Sequence, residues 1–252
     1  MDTVKKRRTS IEQLINERGN ITFVELKEVY PHVSDMTLRT DLKSLDQERR
    51  IVRIHGGAKS VKDVVGIEDS LQMRTARHMV AKKSIARKAC SLISEGQTIF
   101  LGSGSTTTVP AGMLQDYNNL IVTTGVSCAM KLSTRENSKV LMPGGMLDFH
   151  SMGLSGINTV SQLGRMNFDL AIMSAAGFHP DIGFSCLNED EAVLNQTVMK
   201  RAKQTIILMD SSKYDKVTTF SFSLLNDIDG LISEAYPPLI QELCQQSNVM
   251  LY

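Results

Sequence analysis

The chain has 252 residues, of which 42% are hydrophobic and 22% charged, a composition typical of a globular protein with one large α/β domain or two smaller domains. No run of eighteen or more apolar residues occurs, so we expect no membrane-spanning segment and no membrane partner. The N-terminus, MDTVKKRRTS, is charged and lacks the apolar stretch of a signal peptide, which predicts a cytoplasmic protein.

The sequence offers little support for a metal site or a disulfide framework. The four cysteines lie far apart and form no C-x-x-C pair, which favours reduced thiols in a protein core. The five histidines are scattered as well, and no H-E-x-x-H spacing occurs. We therefore predict no metal and no cofactor.

The formal net charge of +1 is unevenly distributed along the chain. Residues 1–62 hold thirteen Lys and Arg against nine Asp and Glu, a net charge of +4, and the remainder carries −3. A basic N-terminal part favours a polyanionic partner.

The first sixty residues show the pattern of three short helices and a β-hairpin. A first helix is expected to end at Gly19, a second begins near Thr22, and a third is capped by Ser34. The apolar face of the third helix consists of Leu38, Leu42 and Leu45.

A helix, a short turn and a helix with a polar, basic outer face is the plan of a helix-turn-helix, predicted here over about residues 22–41. The strand-like segment 51–54 and the turn His55-Gly56-Gly57-Ala58 add a wing. In this plan the N-terminal part of the last helix enters the major groove of double-stranded DNA. A three-helix bundle that contacts only a partner protein is the alternative that the pattern leaves open.

The segment V-S-D-M-T-L-R-T-D-L-K-S-L-D, followed by I-V-R-I-H-G-G-A, closely resembles the signature of DeoR-type bacterial transcription regulators. That signature is V-S-x-x-T-[IV]-R-R-D-L, with a wing that ends in H-G-G-A. The resemblance implies a winged helix-turn-helix DNA-binding domain over residues 1–58. It departs at Thr40, where the family usually has a second arginine. The departure bears on the operator sequence and not on DNA binding as such.

Position in this motif predicts the residues that contact DNA. Ser34 and Thr37 lie close to the helix N-terminus and are predicted to contact phosphates. Arg39 is predicted to contact a base edge or a phosphate, because its fork suits guanine O6 and N7. Asp41 would be repelled by DNA and is expected to pair with a neighbouring cation. The residues predicted to face the groove are Met36, Thr40 and Lys43. The residues predicted to contact DNA from the wing are Arg53, His55 and Gly56. His55 is equally suited to order the hairpin by a hydrogen bond.

Residues 59–80 are polar and weakly periodic, and are predicted to form a linker and an approach helix. Residues 81–252 alternate between helices and strands, which predicts an α/β domain with a mostly parallel sheet. Ligands of such sheets bind at the carboxyl ends of the strands. Among the predicted helices, one covers residues 111–117, AGMLQDY. Strands are predicted over residues 98–101, 120–124, 139–142, 169–173, 205–209 and 230–232.

Four loops that follow predicted strands carry groups suited to a phosphate. Glycines let backbone N–H groups approach an anion, hydroxyls add donors, and Lys213 supplies a positive charge. The loop from Gly102 lacks the spacing of a dinucleotide fingerprint and of a P-loop, and on its own a simple turn remains open for it. The predicted phosphate-binding residues are Gly102, Ser103, Gly104, Ser105, Thr106, Thr107, Thr124, Gly144, Gly145 and Lys213.

The body of the chain, from about residue 75 to residue 235, also resembles the C-terminal sensor domain of DeoR-type regulators. That domain is similar in fold to ribose-5-phosphate isomerases. The resemblance implies that its loops bind a phosphorylated sugar or related metabolite that controls operator affinity, and it adds Glu191, at an acidic helix start, to the effector-binding residues. The predicted fold class is α/β: an N-terminal winged helix-turn-helix followed by a mostly parallel, sugar-phosphate-isomerase-like α/β domain for effector sensing and oligomerisation.

Two departures from the family's pattern concern the effector. Gly102 stands where most such regulators have Asp, and Thr124-Gly125 replaces the usual Thr-Asn. A side chain that would touch the sugar is absent or moved, so we expect an effector other than a common hexose or glycerol phosphate.

The predicted function is a transcriptional regulator, most simply a repressor of a carbohydrate-utilisation operon, that binds operator DNA as a homodimer or homotetramer. Two alternatives remain. An isomerase-like enzyme would need a carboxylate base near the sugar carbonyl, and the segment Ser174-Ala175-Ala176-Gly177, where related isomerases are acidic, has none. We therefore predict no catalytic residue. The other alternative is a constitutive DNA-binding protein whose body only oligomerises.

Overall fold

A computed structural model describes residues 2–54, 56–61 and 71–252 of the chain. The chain divides into two compact units, Met1–Asp69 and Ser70–Tyr252. No helix within the described ranges is both long enough and apolar enough to cross a membrane.

The N-terminal unit combines three helices with a three-stranded antiparallel sheet. Its elements are α1 (Asp2–Arg18), β1 (Asn20–Thr22), α2 (Phe23–Val29), α3 (Asp35–Gln47), β2 (Ile51–Ile54) and β3 (Gly57–Ser60). Strand β3 pairs with both β1 and β2, so the sheet order is β1-β3-β2. The predicted winged helix-turn-helix is confirmed, with β1 as an element that was not predicted. The predicted domain end at residue 58 falls within β3.

Local sequence explains where these elements begin and end. Gly19, which follows α1, has φ +79°, a left-handed conformation that glycine adopts without strain. Thr22 caps α2, because its side chain accepts from the N–H of Glu25 while the Glu25 carboxylate accepts from the N–H of Thr22 at 2.8 Å. Gly57 needs to lack a side chain, because a Cβ there would collide with the carbonyl oxygen of Ile21 on the paired strand.

The three helices and the sheet close on one small apolar core. The leucines predicted on the inner face of α3 are all buried in it, which confirms the helical register read from the sequence. The core consists of Ile11, Ile15, Ile21, Leu26, Leu38, Leu42, Leu45, Ile51 and Ala58.

The C-terminal unit is built on a seven-stranded parallel sheet. Its strands are β4 (Thr98–Leu101), β5 (Leu120–Thr123), β6 (Lys139–Leu141), β7 (Met146–Asp148), β8 (Gly153–Ser155), β9 (Leu170–Ser174), β10 (Gly177–His179), β11 (Gly183–Cys186), β12 (Thr205–Leu208), β13 (Phe220–Ser223), β14 (Gly230–Ile232) and β15 (Met250–Leu251). The large sheet has the order β15-β14-β12-β9-β4-β5-β6, and every neighbouring pair is parallel. The predicted α/β fold class is confirmed.

Helices cover both faces of this sheet. They are α4 (Leu71–Ala76), α5 (Met79–Cys90), α6 (Ser105–Ala111), α7 (Val126–Leu132), α8 (Ile157–Leu163), α9 (Glu189–Met199) and α10 (Pro238–Gln246). Side chains alternate along each strand, so Leu170 and Ile172 of β9 join the core under α5, α6 and α7. Ala171 and Met173 join the core under α8, α9 and α10 on the other face. This two-sided burial explains the continuous apolar strands in the sequence.

Two smaller sheets were not predicted. Strands β7 and β8 form an antiparallel hairpin, and β10, β11 and β13 form a second antiparallel sheet. The β7–β8 hairpin bonds to the loop after β5, because the N–H of Leu154 donates to Thr124 O at 2.8 Å and that of Val126 to Met152 O at 2.9 Å. The hairpin therefore lies against the carboxyl edge of the parallel sheet.

The helix predicted over residues 111–117 is wrong. Helix α6 spans Ser105–Ala111 and so begins within residues 102–107, which were assigned to a loop, whereas residues 112–117 form a turn and irregular structure. The hydroxyls of Thr107 and Thr108 donate to Gly104 O at 3.1 and 2.7 Å, and α6 is buried almost throughout. Tertiary packing therefore overrides the low helix propensity of this Ser- and Thr-rich segment.

Candidate functional site

The N-terminus of the recognition helix α3 is capped as predicted. The Ser34 hydroxyl accepts from the N–H of Thr37 at 3.2 Å and shares a 2.8 Å hydrogen bond with the Thr37 hydroxyl. Ser34 is exposed and Thr37 half-buried. Both predicted phosphate contacts thus lie side by side at the start of the helix.

The outer face of α3 carries the predicted groove residues. Met36 is 79% exposed, and Arg39, Thr40 and Lys43 are exposed as well. The Thr40 hydroxyl donates to Met36 O at 2.8 Å, so it is engaged by its own helix. The Arg39 guanidinium lies over the Phe23 ring, with Cζ 4.2 Å from the ring centroid.

The inner flank of α3 is fixed by an ion pair. Asp41 is only 1% exposed, and its two carboxylate oxygens accept from Arg7 Nε at 2.6 Å and Arg8 Nε at 2.9 Å. Arg8 also donates to the Ser44 hydroxyl at 2.7 Å. The prediction that Asp41 pairs with cations is confirmed. Two basic residues of α1 therefore hold the recognition helix in place.

The wing residues occupy the hairpin formed by β2 and β3. Arg53 is exposed on β2, and its backbone N–H donates to Asp46 Oδ1 at 3.0 Å. Gly56 is exposed with φ +78°, and its carbonyl accepts from the N–H of Phe23 at 2.7 Å. His55 lies outside the described residues. Phe23 thus contacts both the recognition helix and the turn of the wing.

In the C-terminal unit, the segment from Gly102 to Thr107 follows β4 at the carboxyl edge of the sheet. Its carbonyls are bonded internally: Gly102 O accepts from Cys128 Sγ at 3.6 Å and Ser103 O from Ser174 Oγ at 3.5 Å. By contrast, no acceptor within the described chain takes a hydrogen bond from the backbone N–H groups of residues 103–107. The segment therefore presents donors and not acceptors. Its Ser105, Thr106 and Thr107 belong to the first turn of α6.

The other predicted glycine loops pack around the hairpin. Thr124 is buried, and Gly125 lies so close to Ser103 that an added Cβ would be 3.2 Å from the Ser103 Cα. Gly144 O accepts from Thr159 Oγ1 at 2.9 Å, and a Cβ on Gly145 would collide with the same threonine. These glycines permit close backbone approach.

A cleft brings two of the predicted effector residues together. Ser103 and Glu191 line it, and the space that it encloses together with the open solvent at its mouth is about 330 Å³. Sequence reasoning missed most of the lining, because the β7–β8 hairpin was not predicted. The remaining lining residues are Asp148, Ser151, Gly153, Leu154, Ser155, Asn188 and Leu194.

Asp148 is the best-defined polar group of this cleft. Its carboxylate accepts from the His150 N–H and from the Ser151 hydroxyl, each at 2.9 Å. Burial alone would raise the pKa of Asp148, but these hydrogen bonds hold it below its ordinary value. Asp148 is therefore a fixed carboxylate beside the hydroxyls of the cleft.

Lys213 lies in a separate group of charges, which we call the basic cluster: Lys82, the cations Arg74, Arg77 and Lys213 that act on it, and the carboxylate of Asp210. Lys82 is 3% exposed, and its ammonium donates to Arg74 O. Burial lowers the pKa of Lys82 to about 8, against the attraction of Asp210. Burial would raise the pKa of Asp210, but Lys213 and the Ser212 hydroxyl hold it below its ordinary value. Lys82 could be found only from the structure.

The predicted effector residues thus fall into three places along the sheet. Lys213 follows β12, the Gly102 segment follows β4, and Gly144-Gly145 follows β6. In the sheet, β9 separates β12 from β4, and β5 separates β4 from β6. The structure brings Ser103 and Glu191 together but does not bring Gly144 to Lys213. Among the residues that the structure describes, no group of three or more His, Cys, Asp or Glu could hold a metal ion.

Comparison with solved structures gives the fold alone. The translation initiation factor eIF-2B of Pyrococcus horikoshii OT3 aligns over 95% of this chain and 98% of its own, with a TM-score of 0.54 and 12% identity. Ribose 5-phosphate isomerase A of Methanocaldococcus jannaschii covers 53% of each chain, with a TM-score of 0.38 and 18% identity.

Sequence comparison identifies both units. Residues 7–64 match the DeoR-like helix-turn-helix domain, and residues 77–235 match the DeoR C terminal sensor domain. The HTH-type transcriptional regulator GolR of Listeria innocua serovar 6a is 31% identical over 91% of this chain and 90% of its own. The putative aga operon transcriptional repressor of Escherichia coli O157:H7 is 30% identical over 90% of this chain and 85% of its own. The glycerol-3-phosphate regulon repressor of Escherichia coli K12 is 26% identical over 93% and 92%, respectively. The chain therefore belongs to the DeoR family of helix-turn-helix transcriptional regulators.

Proposed function

We propose that this protein is a cytoplasmic repressor of a carbohydrate-utilisation operon, and that a phosphorylated sugar or related metabolite, bound in the C-terminal unit, lowers its affinity for operator DNA. Two relatives support the physiological class through their names, the glycerol-3-phosphate regulon repressor and the putative aga operon transcriptional repressor. One observation carries the proposal. A basic cluster and a cleft lined by hydroxyls and carboxylates lie at the same edge of one sheet.

The basic cluster suits the phosphate. Lys82 and Lys213 both act on the carboxylate of Asp210, and Arg74 and Arg77 act on Lys82, so the charge of this cluster favours an anion. Helices α4 and α5, which carry Arg74 and Lys82, both pack against α6. The cluster therefore adjoins the segment whose backbone N–H groups at residues 103–107 lack acceptors within the described chain. Backbone donors and ammonium groups together are the usual surroundings of a bound phosphate.

The cleft suits the sugar. Ser103, Ser151, Ser155 and Asn188 offer hydroxyl and amide groups, and Asp148 and Glu191 offer carboxylates that accept from sugar hydroxyls. None of its described lining residues is a lysine or arginine, so the cleft is poorly suited to a phosphate. We infer that the ligand lies with its anionic end at the basic cluster and its polyol end in the cleft.

Helix α4 is the first helix of the C-terminal unit, and hydrogen bonds join it to both parts of this site. The Leu71 N–H donates to His150 O at 3.0 Å, and His150 follows Asp148 of the cleft. At the other end of the helix, Arg74 O accepts from the Lys82 ammonium of the basic cluster. A ligand that contacts both the cleft and the basic cluster would change the Leu71–His150 and Lys82–Arg74 hydrogen bonds together. Such a ligand would bind two arrangements of α4 with different affinities.

The alternative of an isomerase-like enzyme receives less support. Enolisation needs a carboxylate base with a pKa near the working pH. The hydrogen bonds to Asp148 hold its pKa below its ordinary value, and residues 174–177 at the end of β9 contain no carboxylate. We therefore propose sensing without catalysis.

Helix-turn-helix regulators read paired half-sites as symmetric oligomers, so we also propose a homodimer or homotetramer.

The proposal is tested by gel-shift titration of the full-length protein on DNA selected from a random pool. The panel is ribose 5-phosphate, fructose 6-phosphate, glucose 6-phosphate, glucosamine 6-phosphate and glycerol 3-phosphate, each beside its unphosphorylated parent. We expect at least one phosphate to release the DNA and to raise the thermal unfolding midpoint, while its parent does neither. A protein that binds DNA with no response in either assay would be a constitutive binder, and turnover of a panel member would support the enzyme.

Sugar-phosphate affinity is expected to fall as the pH rises through about 8. The phosphate is already a dianion above about pH 7, since its second pKa is about 6. Lys82, with a pKa of about 8, is protonated below that pH and binds the dianion best in that form. The bound dianion raises the pKa of Lys82 above its value in the free protein. The affinity is therefore highest below about pH 8. Between the pKa of Lys82 in the free protein and its pKa in the complex, the affinity falls by up to about tenfold per pH unit. Isothermal titration at increasing pH measures this slope. Lys82→Gln should flatten it, and an unchanged slope in that variant would contradict the assignment.

A further inference from the structure

Phe23 links the two parts of the N-terminal unit that are predicted to contact DNA. Its ring lies under the guanidinium of Arg39 on the recognition helix, at 4.2 Å from Cζ to the ring centroid. Its backbone N–H donates to Gly56 O, in the turn of the wing, at 2.7 Å. As the first residue of α2, directly after the capping Thr22, Phe23 is itself held in a fixed place.

The contact constrains Arg39 without using its hydrogen-bonding groups. A guanidinium stacked on an aromatic ring is held through its face, and its N–H edges remain available for a base or a phosphate. No acceptor within the described chain takes a hydrogen bond or ion pair from Arg39. The nearby Arg7 and Arg8, by contrast, are both committed to Asp41. A side chain that is already oriented loses less conformational freedom when it binds.

Arg39 is also the one arginine on the outer face of α3. The next residue, Thr40, carries no charge, and its hydroxyl is turned back onto Met36 O. Lys43 is a point charge on a flexible stem and cannot make the paired hydrogen bonds of a guanidinium. Recognition of a guanine edge by this face therefore depends on how Arg39 is oriented.

We propose that Phe23 is a positioning residue for DNA recognition, whose ring holds Arg39 in the orientation that reads a guanine in the operator. This rests on the proposed contact of Arg39 with DNA. Phe23 also packs against the core of the N-terminal unit, so loss of the ring could act through packing alone. Two substitutions separate the roles. Phe23→Leu keeps apolar bulk and removes the aromatic face, and Phe23→Tyr keeps the face.

The experiment measures the affinity of the full-length protein for the selected operator and for a scrambled duplex of the same composition. Each operator guanine is also replaced in turn by 7-deazaguanine, which lacks the N7 acceptor. We expect Arg39→Ala to lose operator affinity and to become insensitive to the replacement at one guanine. Phe23→Leu should lose roughly two- to fivefold in operator affinity, keep its affinity for scrambled DNA, and show a smaller effect at that same guanine. Phe23→Tyr should behave as the unsubstituted protein.

Two results would overturn the role of Phe23 and leave the DNA contact of Arg39 standing. One is an equal loss of operator affinity in Phe23→Leu and Phe23→Tyr. The other is a Phe23→Leu variant whose affinities for operator DNA and for scrambled DNA fall by the same factor. If Arg39→Ala keeps full operator affinity and its sensitivity to every replaced guanine, the DNA contact of Arg39 fails, and the role of Phe23 fails with it. Thermal unfolding midpoints report on folding. Phe23→Met, with a more adaptable side chain, replaces Phe23→Leu if the latter unfolds, and it carries the same expectation because it also lacks a ring.

Discussion

Replacing Lys213 by glutamine is expected to raise the concentration of sugar phosphate that releases half of the operator DNA and to leave the affinity for DNA itself unchanged. Lys213 follows β12 beside Asp210 and acts on the same charges as the buried Lys82. A cation that donates to a phosphate contributes a charge-assisted hydrogen bond, and its loss should weaken sugar-phosphate binding by roughly 10- to 150-fold. Gel-shift titration with the most effective member of the phosphate panel gives the half-release concentration for each variant.

Lys203 provides the matched control. It pairs with Asp169 at 2.8 Å, and Asp169 precedes β9, so this lysine lies at the amino edge of the same sheet. Lys203→Gln removes an equal charge from the same unit and should leave the half-release concentration unchanged. Equal losses in both variants would point to a general effect of net charge. If Lys213→Gln releases DNA at the normal concentration, the basic cluster does not bind the phosphate.

The N-terminal unit could be predicted well because its signals are local. Ser34 precedes a run with Leu38, Leu42 and Leu45 on one face, and these residues fix both the start of α3 and its orientation. Once the inner face is known, the outer face follows from helical geometry, which is why Met36 and Lys43 are exposed as expected. What local pattern could not show is the stacking of Arg39 on Phe23, because that contact joins two helices.

In the C-terminal unit, the strands of the parallel sheet could be predicted from the sequence, but the hairpin at the carboxyl edge of that sheet could not. Buried parallel strands such as β4 and β9 are continuous apolar runs bounded by turns, and such runs can be recognised in sequence. The hairpin of β7 and β8 has strands of only three residues each, too short for any periodicity to show. Because that hairpin carries Asp148 into the cleft, the cleft was missed along with it.

Helix α6 and Lys82 show how tertiary packing changes the meaning of a local pattern. The Ser- and Thr-rich segment around Thr107 favours a loop by propensity, but its burial under α5 and α7 and its hydroxyl bonds to Gly104 O stabilise a helix. Lys82 belongs to a helix that reads as amphipathic and would be expected at the surface. Its burial beside Asp210 depends on a strand end more than a hundred residues further along the chain.

The charge at the far end of the sugar is expected to decide which phosphates this protein senses. The cleft combines two carboxylates, Asp148 and Glu191, with no lysine or arginine among its described lining residues. Glucose 6-phosphate, glucosamine 6-phosphate and 6-phosphogluconate share a phosphate and a carbon chain but are neutral, cationic and anionic at the other end. Isothermal titration should therefore rank the cationic ligand first and 6-phosphogluconate last. Like charges brought together without compensation cost several kcal/mol, so the anionic ligand should bind at least about tenfold more weakly than the neutral one.

Glu191→Gln tests the origin of this ranking, because it removes one negative charge from the cleft and keeps the shape of the side chain. We expect it to narrow the gap between glucose 6-phosphate and 6-phosphogluconate. Asp190→Asn is the matched control: Asp190 is exposed in the same first turn of α9 and does not line the cleft, so its loss changes the helix terminus equally and the cleft not at all. An equal change in both variants would assign the effect to the helix end. If the three sugar phosphates bind with equal affinity despite their different charges at the far end, the sugar lies outside the cleft. The basic cluster would then remain the proposed phosphate site.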